Sequence, residues 1–132
     1  FPFGWRNSIP VIRLSEVYLN LAEAAAMGGG NVTAGQNALN SVRQTADPTE
    51  PSITLTGQGL MEEVKIERRK ELAFEGHRMY DIVRWKEDLV RIETASPSTI
   101  STVNYPDFRM VWPLPQSEID ANDSINENNV GY

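Results

Sequence analysis

Apolar residues recur at helical spacing along most of the chain, and the recurrences are broken by glycine and proline. Leu14, Val17, Tyr18, Leu21 and Ala25 form one such series, with Glu16 and Glu23 opposite. Pro10 precedes it and Gly28-Gly29-Gly30 follows, so a helix is expected over about 13–27 with a left-handed C-terminal cap. The mostly small run Ala22–Ala26 would let a neighbouring helix come close. Ala38, Leu39, Val42 and Ala46 mark a second helix over about 33–46. Thr33 and Gln36 have capping-box spacing, and Asp47-Pro48 ends the series. The two helices make an antiparallel hairpin of tetratricopeptide-like size, with no second copy in the chain.

Thr49–Gly59 reads as a polar loop, and a central helix is expected over about 60–75. Leu60, Met61, Val64 and Leu72 project to one side of it. Glu62, Glu63, Arg69 and Lys70 project to the other, with Ile66 and Phe74 among them. Arg68, Glu71 and Glu75 fall inside the apolar stripe. Buried charges cost free energy unless they satisfy one another, so these residues are expected to form a structural ion network with Asp81 beyond the Gly76 break.

A fourth helix is expected over about 78–91, with Met79, Ile82, Val83 and Val90 on one stripe. Asp81 is placed to pair with Arg78 or Arg84. Thr94–Pro106 reads as surface loop and Phe108–Trp112 as a short extended segment. Ser117 is placed to cap a single helical turn. The Asn-rich tail is expected to be ordered only if Tyr132 docks. Phe1–Pro10 reads as an extended entry whose aromatics pack onto the domain. The expected fold is therefore mainly α: a hairpin (1–48), central helices (49–93) and an irregular C-terminal wrap (94–132).

Composition adds limits. The 132 residues carry a net charge of -6, which argues against nucleic acid as a partner, since phosphate needs a basic face. The chain contains no cysteine, so thiol catalysis and thiolate metal sites are excluded within it. No apolar run reaches membrane-spanning length. The opening Phe1-Pro2-Phe3-Gly4-Trp5 reads as the interior of a longer or processed chain.

Candidate chemistry is sparse. Glu67, Glu71, Glu75 and Asp81 raise a glycosidase or carboxylate metal site, but they lie along helix beside Arg partners, which is the pattern of ion pairing. His77 is the single histidine and has no zinc-helix spacing to a second ligand. Trp5, Tyr105, Trp85 and Trp112 could stack on sugar rings, and core anchoring is the better reading for Trp85 and Trp112. No catalytic residue, cofactor site or metal site is expected.

Five blocks then carry a resemblance: IRLSEVYLNLAEAA, NSVRQTA, IERRKELAFEGHRMYDIVRW, WPLPQSEIDAN and NNVGY. In order and spacing they resemble the C-terminal portion of the RagB/SusD family, from Ile12 to Tyr132. Val130 departs from the usual proline of the closing motif, and the family's lipid-bearing Cys and larger N-terminal part are outside this chain. The resemblance implies a non-enzymatic, surface-exposed outer-membrane lipoprotein. It implies binding of an oligosaccharide or other nutrient, mainly through the N-terminal part, and work as a lid on a TonB-dependent SusC-like transporter. It implies no residue-level sugar contacts here, and it places Arg68, Glu75, Arg78, Asp81, Arg84 and Trp85 at structural positions. The alternatives from the residues alone are a free-standing helical interaction module and, third, a carboxylate glycosidase.

Overall fold

The computed structural model describes residues 11–91 and 100–132. Five α-helices and one two-stranded sheet lie among the described residues. The expected extended entry at Phe1–Pro10, Trp5 included, lies outside them, as do 92–93 at the end of the expected central helices and 94–99 of the expected loop. The chain divides after Glu75 into two compact units.

The first unit holds α1 (Leu14–Ala26), α2 (Val32–Ala46) and α3 (Gly57–Glu71). Helix α1 stops where the glycines predict. Gly28 takes φ +82°, and the N–H groups of Gly28 and Gly29 donate to the carbonyls of Ala25 and Ala24. Helix α2 begins one residue earlier than expected, because Asn31 is its cap: Asn31 Oδ1 accepts from the Ala34 N–H at 3.1 Å. Gln36, expected to close a capping box with Thr33, instead donates to the Leu55 carbonyl at 2.9 Å.

The expected close approach of a helix to the alanine run is made by Gly35 of α2. A Cβ there would collide with Ala25 Cβ and lie 3.4 Å from Ala22 Cα. Leu19, Ala22, Leu39, Val42, Leu60 and Val64 form the core of this unit, with Ala26 and Ile53 packed against it. The 49–56 segment is held along α2 by side chains. Asn40 exchanges two hydrogen bonds with the Ile53 backbone, and Arg43 donates to the Pro51 carbonyl and to Glu50. A loop with no repeating pattern of its own is thus fixed by polar residues of α2, which satisfy its backbone groups.

Helix α3 ends at Glu71, four residues before the sequence period runs out. In a longer helix the Glu71 carbonyl would accept from the Glu75 N–H. Here it accepts from Arg13 Nη2 at 2.7 Å, and Glu75 N–H turns to the Leu72 carbonyl. Phe74 at φ +64° and Gly76 at φ +81° then carry the chain out of helical geometry. Ile66 and Phe74, on the side opposite the core stripe, are exposed.

The second unit opens with α4 (His77–Trp85), shorter than expected because Lys86 adopts φ +59°. Val90 is therefore not helical. Leu89–Val90 forms β1, paired antiparallel with Thr102–Val103 as β2, a strand within what reads as loop. Two residues per strand is too short a run for alternation to register in the sequence. Asp88 supports the pairing by accepting from the Tyr105 N–H at 2.7 Å and from Asn104 at 3.0 Å. Phe108–Met110 is a 3-10 turn rather than an extended segment, capped by Asp107, and Val111 after it is extended. Helix α5 (Gln116–Ala121) starts after Pro115, so Ser117 lies inside it and is not its cap.

The tail is docked. Asn128 exchanges two hydrogen bonds with the Leu114 backbone, and Asn129 donates to the Trp112 carbonyl at 2.7 Å. Tyr132 OH donates to the Val111 carbonyl at 2.9 Å, and its ring meets Phe108 edge-on at 5.2 Å. Asparagine amides match backbone donor and acceptor at once, so an Asn-rich tail substitutes for a strand along 111–114.

Candidate functional site

The first unit carries an ion cluster and a groove beside it. Arg13 precedes α1, and its guanidinium spans to the end of α3. Nη1 meets Glu71 Oε1 at 2.8 Å, Nη2 meets Glu75 Oε1 at 2.8 Å, and Nε meets Glu75 Oε2 at 3.2 Å. Hydrogen bonds to Glu75 and then Glu71 raise the guanidinium pKa above its ordinary value. The planar fork suits such bidentate engagement, which an ammonium could not reproduce. Next to it lies an open groove of about 400 Å³, lined by Leu14, Ser15 and Tyr18 from α1 and by Val42, Thr45 and Ala46 from α2. Ser15 Oγ is buried without a hydrogen-bond partner among the described residues.

The residues of the expected ion network fall as follows. Arg68 is buried, as its place in the stripe predicts, and its Nη1 donates to Asn20 Oδ1 of α1 at 2.7 Å. Glu71 and Glu75 are held by Arg13, a partner that spacing along α3 does not reveal because it lies 58 residues from Glu71. Asp81 is buried in the second unit and accepts from Arg84 at 2.9 Å, the separation of three that the sequence predicts. Glu67, also buried, pairs with Lys70 at 3.2 Å. Each carboxylate raised for catalysis is thus paired with a cation. Among the described residues, no group of three or more His or carboxylate side chains is placed to hold a metal ion.

The second unit presents aromatic surface. Trp112 is 79% exposed, a departure from its expected role as a core anchor. Phe108 and Tyr132 are also exposed. Arg109 closes on Asp107 with two bonds of 2.7 Å and lies 5.8 Å from the Phe108 ring centre. Those bonds hold the Asp107 carboxyl at about 2, well below the usual range. Trp85 is half-buried with the Arg84 guanidinium 4.6 Å above its ring. A cavity of about 260 Å³ is lined by Met79, Arg109, Met110, Val111, Trp112 and Tyr132 with Pro113. No helix among the described residues is long and apolar enough to cross a membrane.

Comparison with known proteins places this architecture. The family model described as SusD family matches residues 4–132. The SusD-like protein P25 of Formosa agariphila is 34% identical over 141 residues, covering 98% of this chain and 26% of that protein. The starch-binding protein SusD of Bacteroides thetaiotaomicron is 31% identical over 128 residues, covering 96% of this chain and 22% of that protein. The crystal structure of a SusD superfamily protein from Bacteroides fragilis matches with a TM-score of 0.72 at 33% identity, over 90% of this chain and 28% of the other. The chain thus spans about a quarter of the length of the relatives it matches. The family match over residues 4–132 and the likeness to a solved SusD superfamily structure agree: this chain belongs to the SusD family.

Proposed function

We propose that this chain is the C-terminal part of a cell-surface glycan- or nutrient-binding lipoprotein of the outer membrane, working with a TonB-dependent SusC-like transporter in uptake. The observation that carries the reading is the family match over residues 4–132, together with a relative named for binding starch. The site chemistry agrees with binding rather than turnover. The carboxylates that could serve catalysis are engaged in ion pairs, and exposed aromatic rings, which suit sugar faces, remain at the surface. In this reading most of the nutrient contact falls to sequence outside this chain, which covers 26% and 22% of the two curated relatives.

The partnership is tested by affinity purification of the tagged longer protein from outer-membrane extract. A TonB-dependent transporter encoded beside it should co-purify in near-stoichiometric amount. Recovery of the tagged protein free of any transporter would contradict the reading.

A further inference from the structure

We propose that Trp112 and Arg109 form an accessory subsite for one neutral, all-equatorial sugar ring of a bound glycan. The subsite lies wholly within the second unit, and it rests on the glycan-binding reading above. Trp112 is 79% exposed. Trp85 has the Arg84 guanidinium over its ring, whereas Trp112 makes no ring or cation contact among the described residues.

The main chain around that free indole is held on both sides. The Val111 carbonyl accepts from Tyr132 OH, the Trp112 carbonyl accepts from Asn129, and Asn128 takes both the N–H and the carbonyl of Leu114. A Cβ at Gly131 would collide with the Phe108 ring, so the tail lies close against this segment. A tryptophan that serves packing is buried by the elements around it. Here those elements fix the backbone and leave the ring in solvent, so a ligand stacking on it has little further chain to order.

The surroundings set the ligand class. An indole offers a flat apolar face to the C–H side of a pyranose. Trp112, Arg109, Met110 and Met79 line the cavity of about 260 Å³, just under the roughly 300–1,000 Å³ of sites for drug-sized ligands, and so of a size for one ring. Met79, Arg109 and Met110 also line a neighbouring cavity of about 500 Å³, which gives the rest of a glycan a direction to run. Arg109 spends Nε and Nη2 on Asp107, so both Nη1 hydrogens remain for a ligand. Asp107 also balances the charge of Arg109, so the pair offers fixed donors to a hydroxyl without the net attraction that would select a carboxylate. A glucoside-like ring, with C–H groups on its face and hydroxyls at its rim, matches a stacking surface beside such donors.

The test uses the longer protein carrying 5-fluorotryptophan, with Trp112→Phe to identify the Trp112 fluorine signal. The probe is methyl β-glucopyranoside, and methyl β-glucuronide is its anionic comparison. The glucoside should move the Trp112 signal saturably. Arg109→Ala, shown to be folded by circular dichroism, should weaken that response at least tenfold, and the glucuronide should bind no more tightly than the glucoside. A Trp112 signal that the glucoside leaves in place would overturn the subsite. So would a signal that does not differ between H2O and D2O, since other parts of the longer protein would then cover the ring. A response unchanged in Arg109→Ala, or stronger with the glucuronide, would overturn the assigned chemistry. Calorimetry with oligosaccharides on the same protein keeps the two readings apart. Glycan binding beside a silent Trp112 strikes the subsite alone, while no glycan binding at all strikes the reading beneath it.

Discussion

Two arginines side by side on α3 separate buried from solvated charge. Arg68 is 4% exposed and hydrogen-bonded to Asn20, while Arg69 is exposed. Arg68→Met keeps the stem and deletes the charge, leaving the groups it satisfied without it. Breaking a buried pair costs about 3–5 kcal/mol, against about 0–1 for an exposed one. Denaturant midpoints should therefore fall several times further for Arg68→Met than for Arg69→Met, and equal shifts would make Arg68 a solvated side chain. Within the first unit, coupling of Arg68 with Glu71 and Glu75 remains our proposal, while Asp81 is paired with Arg84 in the second unit. Double-mutant coupling between Arg68 and each carboxylate measures it, and additive effects throughout would remove it.

Asp107 offers a titration at the same scale. Its folded pKa is lowered from 3.8 to about 2, with Arg109 the largest cause. A depressed carboxylate pKa favours the folded state above the unfolded value, and that contribution is lost as pH falls from about 4 through about 2. Carbon-detected NMR should place the Asp107 midpoint near 2, and Arg109→Ala should move it up. An unchanged midpoint in the variant would remove Arg109 as the cause.

Between elements, the tightest constraint is at Gly35. Alanine normally favours a helix over glycine by about 1 kcal/mol. Here the added methyl would meet Ala25 Cβ and the backbone of Ala22, neither of which is the end of a flexible side chain. Overpacking costs about 1–3 kcal/mol, so the net sign should be destabilising. Thermal melts of Gly35→Ala should show a lower Tm than the parent chain, and a rise would mean that α1 and α2 have slack between them.

The elements also show what the sequence made legible. Helices with long apolar periods were found, along with the Gly28 stop and the Asp47-Pro48 end. Two of the departures share a cause, which is a partner distant in sequence. Arg13 takes the Glu71 carbonyl and shortens α3, and the Asn-rich tail gains order only by hydrogen bonding to 111–114. Lys86, in left-handed geometry without being glycine, ended α4 with no local signal. Trp112 reads as a core anchor in the sequence but is exposed, because apolar bulk does not reveal which side it faces. The groove beside α1 has no signature in the sequence, since its walls come from two helices.

For the whole molecule, membership in the SusD family is shown, and glycan or nutrient binding by the longer protein is the central claim. The chain covers about a quarter of its relatives, so the claim divides the work between this part and the rest. Calorimetric titration of oligosaccharides into the longer protein and into the 132-residue chain, side by side, tests that division most directly. The account predicts saturable binding of at least one glycan class by the longer protein and weak or undetectable binding by the 132-residue chain. Equally tight binding by the short chain would move the site onto the rings around Trp112, and silence from the longer protein across starch-like and other nutrient glycans would contradict the claim itself.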